Sequence, residues 1–164
     1  MATLKSAATA FTHSYANAMA LSLQPTPSLT ACAEAIASHY SPTFVAFALG
    51  GPPVKMQNLY PGATQADVVA KHLERFDKAG FGWRVKMVRF EVFVLSEEGG
   101  SAQCWITWEI EPRQACGVEA WRWTNVYGFR KGGGEGEGGG CWEYAVSDQE
   151  MKGLVDRCPG FFEL

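Results

Sequence analysis

Between Trp121 and Glu150 the chain reads WRWTNVYGFRKGGGEGEGGGCWEYAVSDQE, two aromatic-rich runs around a stretch of seven glycines and two glutamates. In the first run Trp121, Trp123, Asn125, Tyr127 and Phe129 share one parity, while Arg122, Thr124, Val126 and Arg130 take the other. A period of two is the signature of a strand with one apolar face. Trp142, Tyr144 and Val146 repeat the pattern beyond the glycines. A phosphate-binding loop needs a Lys and a Ser/Thr at a helix start. The glycine run has neither, carries Glu135 and Glu137, and joins strand to strand. Glycine is also costly to order. The run is therefore read as a solvated hairpin connector rather than a site.

Upstream the same period continues. Cys104, Ile106, Trp108 and Ile110 alternate before Pro112, opposite Gln103, Trp105, Thr107 and Glu109, and Val88, Phe90, Val92 and Val94 alternate before a turn at Glu97–Ser101. Earlier still the period is helical. Leu29, Cys32, Ala33, Ile36, Ala37 and Tyr40 form one stripe, ended near Ser41 by Pro42. A short apolar strand over 44–49 follows, then Thr64-Gln65-Ala66-Asp67, a capping-box start for a helix with Val69, His72, Leu73 and Phe76 on one face. Ser147-Asp148-Gln149-Glu150 reads as a second capping box, before a short helix with Met151, Leu154, Val155 and Cys158 on its apolar side. Phe11, Tyr15 and Met19 suggest a helical arm over 4–23, closed by Gln24-Pro25-Thr26-Pro27. The expected organisation is an arm and linker over 1–27 and a single α+β domain over 28–164.

The composition excludes several functions. A formal charge of −3 with no Lys/Arg stripe argues against a nucleic-acid surface. No apolar run has membrane-spanning length. The five cysteines are far apart and odd in number, with no C-x-x-C pair, so neither a metal knuckle nor a disulfide framework is expected. No metal or cofactor is implied. The first 33 residues hold one base, Lys5, and no acid, but no arginine and no apolar core segment. A cytoplasmic protein with reduced thiols is the expectation.

Asn125 is the single amide on the Trp121–Phe129 face. It is either a satisfied core asparagine that fixes sheet register or a polar fixture in an apolar ligand cavity. His72 lies in the apolar stripe of its helix, and His39 sits at a helix end beside Tyr40. Each has a structural reading, a core hydrogen bond or a capped carbonyl. Each is also a candidate general base, because histidine titrates near neutral pH without a large shift.

The order of elements resembles the cone-shaped α+β fold of the nuclear transport factor 2-like superfamily, and within it the SnoaL-like members with their uncharacterised fungal branch. The blocks that carry the resemblance are His39-Tyr40-Ser41-Pro42 with Phe44 and Phe47-Ala48-Leu49-Gly50, then His72-Leu73-Glu74-Arg75-Phe76 with Gly80-Phe81-Gly82, then Trp121 to Arg130, Trp142-Glu143-Tyr144 and Ser147 to Glu150. The resemblance implies a curved antiparallel sheet wrapped around the helices, with a cavity at its wide end. One expectation is a small apolar or aromatic ligand of polyketide or terpenoid type in that cavity, held by Tyr40, Phe44, Trp108, Trp121, Trp123, Asn125, Tyr127 and Tyr144. His72 or His39 would move a proton in a cofactor-free isomerase, cyclase or dehydratase of secondary metabolism. A homodimer through the sheet is also implied, with Trp105, Thr107, Arg122 and Thr124 on the outer face. The acid that such cyclases and isomerases carry near the first strand is absent here, since residues 44–49 contain no carboxylate. A non-catalytic ligand-binding or dimerisation module of the same fold is the competing expectation.

Overall fold

The computed structural model describes residues 2–132 and 139–164. The connector reading of the glycine run falls largely on residues 133–138, outside this range. The strands that flank it pair, with Lys131 opposite Gly140.

The first helix, α1 (Leu4–Ala20), starts where the Thr3 side chain accepts from the Ser6 N–H. A short 3-10 turn over Leu21–Leu23 completes the helical segment expected there. Leu4, Ala8, Phe11 and Tyr15 are buried in the same core as the sheet residues, so α1 packs as a layer against the strands. Helix α2 (Leu29–Ala37) is capped by Ser28 and ends before the expected Ser41. Strand β1 (Tyr40–Phe47) begins there, with Tyr40 already opposite Trp142. Pro42 disfavours helix at the residue before it, and sheet pairing extends that effect further back. The strand stops short of Leu49, whose φ of 52° is left-handed and whose N–H donates to Asp148 Oδ1 at 2.8 Å.

A short strand, β2 (Val54–Lys55), leads to α3 (Gln65–Lys78), and here the expected capping box forms in full. Thr64 Oγ1 accepts from the Asp67 N–H at 3.1 Å, and Asp67 Oδ2 accepts from the Thr64 N–H at 2.8 Å. The remaining elements are β3 (Val85–Ser96), β4 (Ser101–Ile110), β5 (Trp121–Lys131), β6 (Gly140–Val146) and α4 (Asp148–Arg157). Strand order is β2-β1-β6-β5-β4-β3. The expected antiparallel sheet carries one parallel pair, β1 with β6, and it stays open at β2 and β3.

Parity places the core as read from the sequence. Cys104, Ile106, Trp108 and Ile110 of β4 are buried, as are Trp121, Trp123, Asn125, Tyr127 and Phe129 of β5. Edge strand β3 departs from the pattern. The register shift between Met87 and Arg89 leaves Val88 exposed, Val94 is exposed near the strand end although it still faces the buried Ala102, and Phe90 and Val92 alone of that set pack on the core. Bulges of this kind are common where a sheet edge bends.

One feature of the sheet builds the site. Strand β5 runs on below Val126 after β6 has ended, and α4 packs beside it there. Gln149 Oε1 accepts the Thr124 N–H at 2.8 Å, replacing the missing strand's hydrogen bond. The capping box expected at Ser147 does not form. Ser147 has φ −121° and makes no side-chain cap, and its Oγ donates to the Phe47 carbonyl at 3.4 Å instead. Glu150 is thereby free of capping duty, one residue beyond the one that anchors α4 to β5.

Candidate active site

A cavity of about 240 Å³ lies between the inner face of the sheet and helices α1, α3 and α4. This is slightly below the roughly 300 Å³ at which drug-sized pockets begin. Tyr40 and Phe44 line it from β1, Trp108 from β4, and Trp123, Asn125 and Tyr127 from β5. Tyr40 and Phe44 stack at 4.5 Å between ring centroids. Its walls are otherwise mostly aliphatic or aromatic, apart from Arg75 and Tyr60, Ser147, and a group of polar side chains around Asn125.

Four of the polar side chains, His72, Glu150, Asn125 and Tyr127, form one connected run. His72 Nε2 lies 3.0 Å from Glu150 Oε1. The other carboxylate oxygen, Oε2, accepts from Asn125 Nδ2 at 2.8 Å, and Nδ2 also reaches Tyr127 Oη at 3.3 Å. Trp108 Nε1 donates to the same phenol oxygen at 3.1 Å. A carboxylate only accepts, which fixes the orientation of the Asn125 amide. Both amide N–H groups are then used, and Asn125 Oδ1 is left buried with no partner. Tyr127 receives two hydrogen bonds and keeps its own proton to give to the Tyr15 oxygen or to a ligand. Burial, followed by the Glu150 carboxylate, pushes the Tyr127 phenol well above the usual tyrosine range. Burial does the same for Tyr40 and Tyr15, whose hydroxyls share a 2.7 Å hydrogen bond. These phenols are neutral donors, not phenolates.

Seven of the residues expected in the site therefore meet: His72, Tyr40, Phe44, Trp108, Trp123, Asn125 and Tyr127. Three lie outside the lining. His39 Nδ1–H donates to the Ala35 carbonyl at 2.8 Å, so its Nε2 accepts from Ser14 Oγ at 2.9 Å. That ring ties α1 to the end of α2, and burial holds its imidazole below the usual histidine range. Trp121 packs on Phe81 and under the Arg157 guanidinium, 4.3 Å from its ring. Tyr144 lies on the outer face of the sheet, where its hydroxyl accepts from Gln103 Nε2 at 3.0 Å and its ring fills the space over Gly128.

Glu150 is the cavity residue that the sequence pattern concealed, because its spacing from Ser147 mimics a cap. A signal was present: Glu150 precedes Leu154 by four residues and so belongs to the apolar face of α4. Tyr15 and Met19 also line the cavity, from the stripe first read as an arm. Among the described residues no group of three or more His, Cys, Asp or Glu side chains is placed to hold a metal ion. All five cysteines are unpaired, and burial pushes the Cys32 and Cys104 thiols up to about 11.

No family model matches the sequence, and no curated protein is significantly similar to it. Solved structures do match. An NTF-2 like protein of unknown function from Shewanella oneidensis superposes with a TM-score of 0.53 at 9% identity, over 85% of this chain and 94% of that one. PrhC from Penicillium brasilianum gives 0.56 at 9% identity, over 96% and 91%. The yeast UBP3-associated protein BRE5 gives 0.52 at 14% identity, over 89% and 95%. The chain has the nuclear transport factor 2-like fold, an α+β cone with an open mixed sheet. No helix among the described residues is long and apolar enough to cross a membrane.

Proposed function

We propose that this protein binds a small, largely apolar molecule of polyketide or terpenoid type and acts on it as a cofactor-independent isomerase, cyclase or dehydratase. The observation that carries the reading is the hydrogen-bonded run His72–Glu150–Asn125–Tyr127 in an apolar wall. Glu150 holds the imidazole through Nε2–H and stabilises the imidazolium that forms, leaving Nδ1 as the basic nitrogen. His72 takes a proton from carbon next to a carbonyl. Tyr127, kept protonated, donates to the oxygen on which charge develops. Asn125 positions Glu150 and Tyr127 rather than donating itself, since both its N–H groups are used. The aromatic walls hold the ligand folded, and orientation alone lowers such barriers by several kcal/mol.

The test is deuterium exchange. Cyclic ketones and enones that fit the cavity are incubated with the protein in D₂O, and loss of the α-proton signal is followed by NMR. Exchange above the buffer rate supports the reading. Ketones that bind without exchanging would reduce the protein to a binder.

An assembly role has its own support. Phe93 and Trp105, 45% and 46% exposed, sit edge to face at 5.8 Å on the outer side of the sheet. We propose that this face joins two copies of the chain. Light scattering at micromolar concentration should give twice the chain mass, falling to one in Trp105→Glu; a monomer in the native protein removes the proposal. The unpaired cysteines favour a reducing, cytoplasmic setting.

A further inference from the structure

We infer that the ligand of this cavity carries an anionic group, a carboxylate, held at the cavity rim by Arg75. The inference rests on the proposed ligand-binding reading and narrows its substrate class. Arg84, Arg122 and Arg130 each meet a carboxylate, with Glu111, Glu109 and Glu143, and Arg113 meets Asp77. Arg75, like Arg89 and Arg157, has no ion-pair partner among the described residues, but it alone of the three lines the cavity, where it is half-buried. Its one side-chain partner is a phenol: Nη2 donates to Tyr60 Oη at 2.7 Å. Lys71, one turn earlier on α3, sets its ammonium 3.9 Å from the centre of the same Tyr60 ring. Two cations thus converge on one rim tyrosine while the carboxylate of the cavity, Glu150, is engaged by His72 and Asn125.

Guanidinium is a planar fork that matches a carboxylate in a two-point contact, and it is always charged. Left half-buried beside an apolar space, it is a site waiting for its counter-ion. Position adds a chemical reason. His72 and Arg75 are three residues apart on α3 and both line the cavity. Side chains at that spacing are neighbours. An acid gripped by Arg75 presents the carbons next to its carboxylate to His72, while its apolar body reaches toward Trp108 and Trp123. The substrate class is a compact apolar acid with an acidic C–H near the carboxylate, such as a keto acid.

The experiment is a matched pair of probes, 2-naphthylacetic acid and the methyl ketone of the same skeleton, titrated by quenching of tryptophan fluorescence. The native protein is expected to bind the acid about tenfold more tightly, the size of one good charge-assisted hydrogen bond. The preference should shrink as salt is raised. Arg75→Gln should abolish the preference, and Arg75→Lys should keep part of it. Equal binding of the two probes, or a preference that survives Arg75→Gln, overturns the acid while leaving the cavity reading in place. Failure of both probes to bind overturns the cavity reading and this inference with it.

Discussion

Glu150 Oε1 lies 3.0 Å from His72 Nε2, although 78 positions of chain separate the two residues. Helix α3 brings one and helix α4 the other. The contact exists because α4 occupies the end of β5 that β6 leaves unpaired. Site and fold are thus one arrangement: the anchor Gln149 on the Thr124 N–H sets the helix phase that aims Glu150 at Asn125. Removing Glu150 should therefore harm the chemistry more than the fold. Glu150→Gln is expected to lower stability by only about 1 kcal/mol, the cost of one of its two hydrogen bonds, because the amide oxygen still accepts the other. Its exchange rate should drop at least about tenfold, read in the same NMR assay. Unchanged exchange would remove Glu150 from the mechanism.

Tyr127→Phe tests the buried end of the run. The change leaves Trp108 Nε1 without its acceptor and Asn125 Nδ2 with one fewer, inside the core. A loss of about 1–3 kcal/mol is expected from urea unfolding. Tyr144→Phe, which removes a half-exposed contact with Gln103, should cost well under about 1 kcal/mol.

Gly140 is where the sheet has no room for a side chain. A Cβ there would fall on the buried Phe129 ring and 2.9 Å from the Arg130 carbonyl. Gly140→Ala should destabilise by about 1–3 kcal/mol through overpacking, measured as a lowered urea midpoint with unchanged slope. Gly62→Ala meets nothing within 4 Å and pays only for its φ of 72°, so the smaller loss is expected there.

His39 sets a pH dependence. Burial, opposed by its backbone hydrogen bonds, lowers its folded-state value below the ordinary 6.5. Between the two values the unfolded chain binds the extra proton, so stability rises with pH through that window and is lost as pH falls below 6.5. Unfolding midpoints at pH 7.5 and 5.5 should differ less in His39→Asn than in the native protein, since asparagine can donate to the Ala35 carbonyl without titrating. An identical difference in both proteins would show that His39 does not titrate on unfolding.

Much of this was legible in the residues. Period-two alternation from Cys104 to Ile110 and from Trp121 to Phe129 marked the buried face, because a sheet covered on one side sorts its residues by parity. The Thr64–Asp67 box marked the start of α3 through purely local hydrogen bonds. What stayed hidden was non-local. The parallel pairing of β1 with β6 leaves no mark on either strand. The same spacing that makes a cap at Thr64 makes none at Ser147, because Ser147 turns to the Phe47 carbonyl on a strand 100 positions away. His39, at a helix end, and His72, in an apolar stripe, were both candidate general bases in the sequence. Packing separates them, giving His39 the partners Ala35 and Ser14 and His72 the partner Glu150.

Whether His72 takes a proton from a ligand in the cavity can be read by chemical rescue. Deuterium exchange into a bound ketone would be followed in native protein and in His72→Ala, with and without imidazole in the buffer. The account predicts that His72→Ala loses roughly 10²- to 10⁴-fold in rate, and that imidazole restores part of it by filling the vacated space beside Glu150. Exchange that is undiminished in His72→Ala would contradict the account, whatever the cavity binds.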